Sequence, residues 1–239
     1  MATDHILQSI SNSQAILAIE TSVPTASVAL WVGGSIIYQK DFTSDRNHNS
    51  MIFEPLAEAL EILDEGGLSH VLVGTGPGSY SGARTGIAAG QGVALTYGCP
   101  AVGIGSLAAT PLACAAEHTV AIGDARRGLF YISKITDTGE AGEPQLMEQA
   151  EFQSALSQEC DDREVVLFTL DDVSGAWLEG VQLPADVENT TPHARGLIDV
   201  WQGLSEQRQN ELTELPLSPT YLRPPFTSKA KSGHPLLRS

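Results

Sequence analysis

The sequence predicts an α/β protein, and three features carry that expectation. Short apolar runs of buried-strand type open the chain and recur along it, an apolar stripe at helical spacing follows the first few, and a glycine-rich strand-to-helix junction sits between them. At 239 residues there is enough chain for one large domain or two small ones with real cores. Its 42% apolar and 18% charged residues are ordinary for a globular protein and argue against wholesale disorder.

Taken in order, Met1–Gln14 is a polar leader without the basic-then-apolar pattern of a signal peptide. Ala15-Ile-Leu-Ala-Ile19 reads as a buried strand, and Ser27–Val32 and Ile36–Phe42 as two more joined by a hairpin at Gly33-Gly34. Asn47–Leu63 reads as a helix, because Ile52, Leu56, Leu60 and Leu63 recur at i, i+4, i+8 and i+11. Pro55 falls near its first turns and Gly66-Gly67 ends it. His70–Val73 resumes strand character. Gly74–Gly86 then runs into a helix through Tyr97, with Ser79 or Ser81 placed to cap it. Ala101–Ile104 is another short strand, and Ser106–Ala116 is rich in alanine and helical in propensity.

A fainter strand-hairpin series follows. Thr119–Ile122 and Leu129–Ile135 flank Gly123–Gly128, and Thr136–Gly142 is rich in turn formers. Phe152–Leu156 suggests a short helix, Glu164–Thr169 a strand and His193–Leu204 a last helix. Leu215–Ser239 is proline-rich and expected to be extended.

Charge and composition narrow the function. The formal net charge of −16 repels phosphate backbones, so unaided binding to DNA or RNA is disfavoured. The three cysteines form no CxxC, and the six histidines form no HxxxH or HExxH pair, so no metal site or disulfide framework is indicated. No run of about 18 apolar residues is present to span a membrane, and the expected compartment is the cytoplasm.

Gly74–Gly92 fits none of three nucleotide or nucleophile templates. It has no lysine for a Walker-type phosphate loop. After Gly76 and Gly78 the next glycine is Gly82, one residue late for the dinucleotide fingerprint. In Gly78-Ser-Tyr-Ser-Gly82 the central residue is Tyr80, where a nucleophile elbow needs serine. The physical use left is close approach: Gly82, Gly86 and Gly90 recur every four residues and form a smooth helical stripe. A neighbouring helix, the sheet and a second protein chain would each fit against it.

Ile16-Leu-Ala-Ile-Glu-Thr-Ser22, Ser27-Val-Ala-Leu-Trp31 and Gly74–Gly86 together resemble the TsaB family, and Ala121–Gly128 and Tyr221-Leu-Arg223 match two later signatures in the right order. TsaB is the dimerization subunit of the bacterial system that forms N6-threonylcarbamoyladenosine at position 37 of tRNAs reading codons that start with A. The resemblance is dense over 15–131 and thin between Thr136 and Leu215. It implies an actin/hexokinase-like (ASKHA) fold with two related lobes, here 15–105 and 106–214, followed by a tail over 215–239. It also implies a non-catalytic subunit with no cofactor of its own. The expected partners are TsaD as a heterodimer, TsaE through the complex, a second copy as a homodimer, and tRNA only indirectly. In the family, the equivalents of helices 47–63 and 81–97 pair with TsaD. That implies a partner interface at Ile52, Leu56, Leu60, Gly82, Ala83, Gly86 and Gly90.

Two departures bear on chemistry. Actin-like ATPases open their first hairpin with Asp-x-Gly, whereas this chain has Glu20-Thr-Ser-Val-Pro24, poorly shaped for close phosphate approach. TsaD-type catalytic subunits carry a histidine pair after the first helix region, and this chain offers only His48. An ASKHA ATPase or sugar-kinase-like enzyme is the competing expectation. Asp124, Arg126 and Arg127 read as a hairpin stabilised by local ion pairs.

Overall fold

The computed structural model describes residues 15–43, 51–64, 66–113, 118–161 and 164–223. Two five-stranded mixed sheets organise them. The first begins with β1 (Ala15–Glu20), β2 (Thr25–Val32) and β3 (Ser35–Thr43), antiparallel neighbours in sequence. α1 (Phe53–Leu63) leads to β4 (Leu68–Gly74), which lies parallel to β1; α2 (Tyr80–Tyr97) then leads to β5 (Ala101–Ile104), parallel to β4. The order is therefore β3-β2-β1-β4-β5.

The second sheet repeats this plan. β6 (Thr119–Asp124), β7 (Leu129–Lys134) and β8 (Gln145–Glu148) are the antiparallel meander. α3 (Gln149–Glu159) leads to β9 (Val166–Thr169), parallel to β6, and β10 (Val187–Asn189) is parallel to β9. Its order, β8-β7-β6-β9-β10, is the first sheet's order strand for strand. The match fails at one place: where α2 stands in the first lobe, the second has only the short 3-10 turn Ala176–Leu178.

The first sheet is the middle of three layers. Leu17, Ile19, Val28, Leu30, Val71 and Val73 face α1 and α2, while Ile16, Ala18, Ala29, Leu72 and Val102 face α4 (Ala194–Gly203) and α5 (Glu206–Glu214). β1 is buried along its whole length, which explains its continuous apolar run. In the second lobe Phe152 and Leu156 of α3 cover Val120, Ile122, Phe130 and Leu167 on one face. On the other, Ala121, Tyr131 and Phe168 meet Leu107 and Ala113 of the segment that follows β5.

Several expectations shift. Of the predicted helix 47–63, residues 47–50 lie outside the described residues, and the helix begins at Phe53 with Pro55 in its first turn. It ends at Leu63, as expected, with Asp64 as its C-cap ahead of the two glycines. The alanine-rich 106–116 segment is a 3-10 turn only over Ser106–Ala109; residues 114–117 lie outside the description. Burial of all four turn residues and Pro111 just beyond outweigh alanine's helix propensity. β8, β10 and α5 were not expected from the sequence.

Candidate functional site

α2 is seated by its N-terminus and by its glycines. Ser79 is the cap: its Oγ accepts from the Gly82 amide at 3.2 Å, and its own amide donates to Ser22 O at 2.6 Å. Thr21 Oγ1 donates to Gly82 O at 2.8 Å. A Cβ on Gly82 would overlap Thr21 O, one on Gly86 would overlap Thr21 Oγ1, and one on Gly90 would come to 2.5 Å from Val73 Cγ2. Of the three surfaces the stripe could fit, it lies against this protein's own β1, β1–β2 turn and β4. The glycines let helix and sheet backbones close together, and α2 gives up helix propensity to do so.

The other expected interface positions also point inward. Ile52, Leu56 and Ala83 are buried, and Leu60 is half-buried against the same core. What the helices present outward is different. α1 exposes Phe53 (64%) and Ala57, one turn apart, and α2 exposes Ala88, Gly92 and Leu95 (86%) at i, i+4 and i+7. A Cβ on Gly92 would meet nothing within 4 Å. Sequence spacing identifies stripes but not which one the sheet takes, and Leu95 was missed for that reason.

A cavity of about 940 Å³ lies between the lobes. The first lobe contributes Ser22–Pro24 and Pro77–Tyr80, and the second contributes Asp124–Arg127 and Leu170–Asp172. The topological repeat explains this: the β1–β2 and β6–β7 turns are equivalent, as are the segments after β4 and β9. In the second turn Arg126, Arg127 and Gly128 all have positive φ (66°, 57° and 74°). Local bonds hold it, as the sequence suggested. The Arg126 amide donates to Asp124 Oδ1 at 2.6 Å, its guanidinium pairs with Asp124 Oδ2 at 2.8 Å, and the Asp124 amide donates to Asp171 Oδ2 at 2.9 Å. Burial pushes the Asp171 carboxyl above its ordinary range.

Glu20, at the place of the actin-type aspartate, does not line this cavity. It is fully buried, Oε1 accepts the Ser22 amide at 2.6 Å, and Oε2 has no hydrogen-bond partner. Gly74 makes the room, since a Cβ there would overlap that carboxyl. Burial raises the Glu20 pKa, only partly offset by the nearby Ser106 and Ser22 hydroxyls. The carboxyl is thus packed into the first lobe, away from the cleft. His48 lies outside the described residues. Among the described residues no group of three or more His, Cys, Asp or Glu is placed to hold a metal ion, and no helix is long and apolar enough to cross a membrane.

A pair of sheets with the order 3-2-1-4-5, a cleft between equivalent turns and helices packed on both faces of the first sheet define an α/β protein of the actin/hexokinase-like (ASKHA) class. The solved structures agree on the fold. A Pseudomonas aeruginosa protein described as similar to the peptidase YeaZ superposes with a TM-score of 0.69 at 22% identity, over 88% of this chain and 100% of that one. YeaZ from Pseudomonas aeruginosa gives 0.64 at 20% identity, over 87% and 100%. In sequence, the tRNA threonylcarbamoyladenosine biosynthesis protein TsaB of Escherichia coli K12 is 34% identical over 125 residues, 48% of this chain and 52% of that protein. TsaB of Haemophilus influenzae is 33% identical over 129 residues, 50% and 53%. The chain spans about half the length of the curated relatives it matches. The family model described as TsaD, tRNA N6-adenosine threonylcarbamoyltransferase, matches residues 41–157. In sequence the chain is thus similar to TsaB proteins over about half its length, and in fold to YeaZ over most of it.

Proposed function

We propose that the chain serves tRNA threonylcarbamoyladenosine biosynthesis as a non-catalytic subunit that docks a TsaD-type transferase. The pathway follows from the names of the TsaB relatives. The docking surface is the outward face of α1 and α2, and one observation carries it: Phe53 and Leu95 stand exposed beside the small residues Ala57, Ala88 and Gly92. Scattered apolar residues on a surface need no explanation, but a large-and-small pattern on two helices covering one sheet face is shaped to receive other helices. Gly82, Gly86 and Gly90 support that surface from beneath by setting how deeply α2 sits.

Two features favour a partner over an enzyme. The Glu20 carboxyl is sealed behind Gly74 and does not reach the cleft. The net charge of −16 leaves tRNA contact to a partner. Work in the same compartment as tRNA modification, the cytoplasm, belongs to this proposal. Co-purification with the transferase tests the surface. Leu95→Glu places a charge on the face at its most exposed apolar residue without touching the core, and it is expected to weaken the complex by roughly a hundredfold. Undiminished association of Leu95→Glu would rule this face out, and a wild-type chain that pairs only with itself would rule out the partner.

A further inference from the structure

The C-terminal segment Leu215–Arg223 crosses from one lobe to the other along the cleft. On the first lobe, Leu217 packs beside Gly103 and against the core under α2. The Thr220 amide donates to Thr75 O at 2.8 Å, and the two threonine hydroxyls are 3.2 Å apart. Tyr221 stacks on Tyr80 with ring centroids 5.0 Å apart, and its hydroxyl accepts from Arg84 Nε at 2.6 Å. Arg84 in turn lies 4.1 Å above the Tyr80 ring. The next residue changes lobes: Leu222 packs into the core of Ala121, Ala125, Tyr131 and Phe168. Arg223 then donates to Arg126 O in the β6–β7 turn.

Thr220 and Tyr221 are therefore held by Thr75, Tyr80 and Arg84 on one side, and Leu222 and Arg223 by the second-lobe core and the β6–β7 turn on the other. Thr220–Arg223 all line the cavity they cross. A solvated terminus would need none of these anchors, and one docked on a single lobe would need only half. We propose that Thr220–Arg223 is a latch. It fixes the setting of the two lobes and couples the β6–β7 turn to the start of α2, so that opening the cleft loosens the helix. Arg84 and Tyr80 are the receiving side of the coupling, and Leu222 and Arg223 the sending side. This does not depend on what docks against the outer face of α2.

Amide hydrogen exchange on the full chain tests it, using one substitution on each side. Leu222→Ser weakens the hold on the second lobe and leaves every first-lobe contact in place. It is expected to speed exchange about tenfold at Ser79, Gly82, Ala83 and Thr220 in the first lobe, relative to the amides of β1 and β6. Arg84→Ala weakens the hold on the first lobe by removing the bond to the Tyr221 hydroxyl, and is expected to speed Ala125 and Leu129 by a similar factor, on the same scale. The reciprocal effect across the cleft is the signature of a latch. Changes confined to the substituted lobe, or a uniform rise that includes β1 and β6, would overturn the proposal.

Discussion

Replacing Gly86 by alanine tests the seating of α2, and Gly92→Ala is its internal control. At Gly86 a Cβ would fall on Thr21 Oγ1, far inside the 3.0 Å that real Cβ atoms respect, with Ile19 Cγ2 3.5 Å away. Thr21 is 3% exposed, and its hydroxyl is committed to Gly82 O, so it cannot turn aside without losing that bond. Overpacking of this kind costs about 1–3 kcal/mol. Disturbing the buried hydrogen bond adds about 1 kcal/mol. Alanine returns about 1 kcal/mol of helix propensity. The net is a loss of about 1–3 kcal/mol. At Gly92 nothing lies within 4 Å, so the same substitution keeps only the propensity gain of up to about 1 kcal/mol. The two variants should therefore part by about 2–4 kcal/mol, in opposite directions from wild type. Urea unfolding reads this as a lower midpoint for Gly86→Ala and a higher one for Gly92→Ala. Equal midpoints, or a more stable Gly86→Ala, would show that the stripe does not face the sheet.

Two further substitutions probe other joints of the fold. Gly196 lies in the first turn of α4, where a Cβ would overlap Ala109 O and approach Ala109 C at 2.7 Å, so Gly196→Ala should cost more than Gly86→Ala, about 3 kcal/mol or above, in the same urea assay. Glu20 gives a pH test, because burial holds its folded pKa above the ordinary 4.5. The folded state then binds its proton more tightly than the unfolded one. The Glu20 contribution is fully present below pH 4.5 and is lost as pH rises through the raised pKa. Glu20→Gln removes this dependence, so its melting temperature should match wild type in acid and exceed it at neutral pH. A variant less stable at neutral pH than in acid, relative to wild type, would contradict the assignment.

Much of the fold could be read from the chain. The run Ala15–Ile19, the Gly33-Gly34 hairpin and the β6–β7 pair are local signals, and each of these elements appears where its residues indicate. What was missed lacked a local signal. β10 is three residues long and β8 four. α5 buries Leu212 alone and is otherwise polar; its one clue was Ser205, whose hydroxyl caps the Arg208 amide. The repeated sheet order was also invisible, since it depends on which strands pair across more than forty residues, as β6 does with β9.

The candidate surface shows the same limit more sharply. Periodicity found the stripes Ile52-Leu56-Leu60 and Gly82-Gly86-Gly90 correctly as stripes. The direction of the glycine stripe depends on Thr21 in the β1–β2 turn and Val73 in β4, and Thr21 lies 61 residues before Gly82 in sequence. The same geometry that buries those positions turns Phe53, Ala88, Gly92 and Leu95 outward. Likewise the C-terminal segment reads only as an extended proline-rich end, yet Tyr221 bonds Arg84, 137 residues upstream, and Leu222 packs into the core of Ala121, Tyr131 and Phe168.

Service to threonylcarbamoyladenosine formation is tested by nucleoside analysis of tRNA after depletion of this protein. N6-threonylcarbamoyladenosine is expected to fall on depletion and to return with the wild-type chain but not with Leu95→Glu. Unchanged levels in the depleted cells would contradict it.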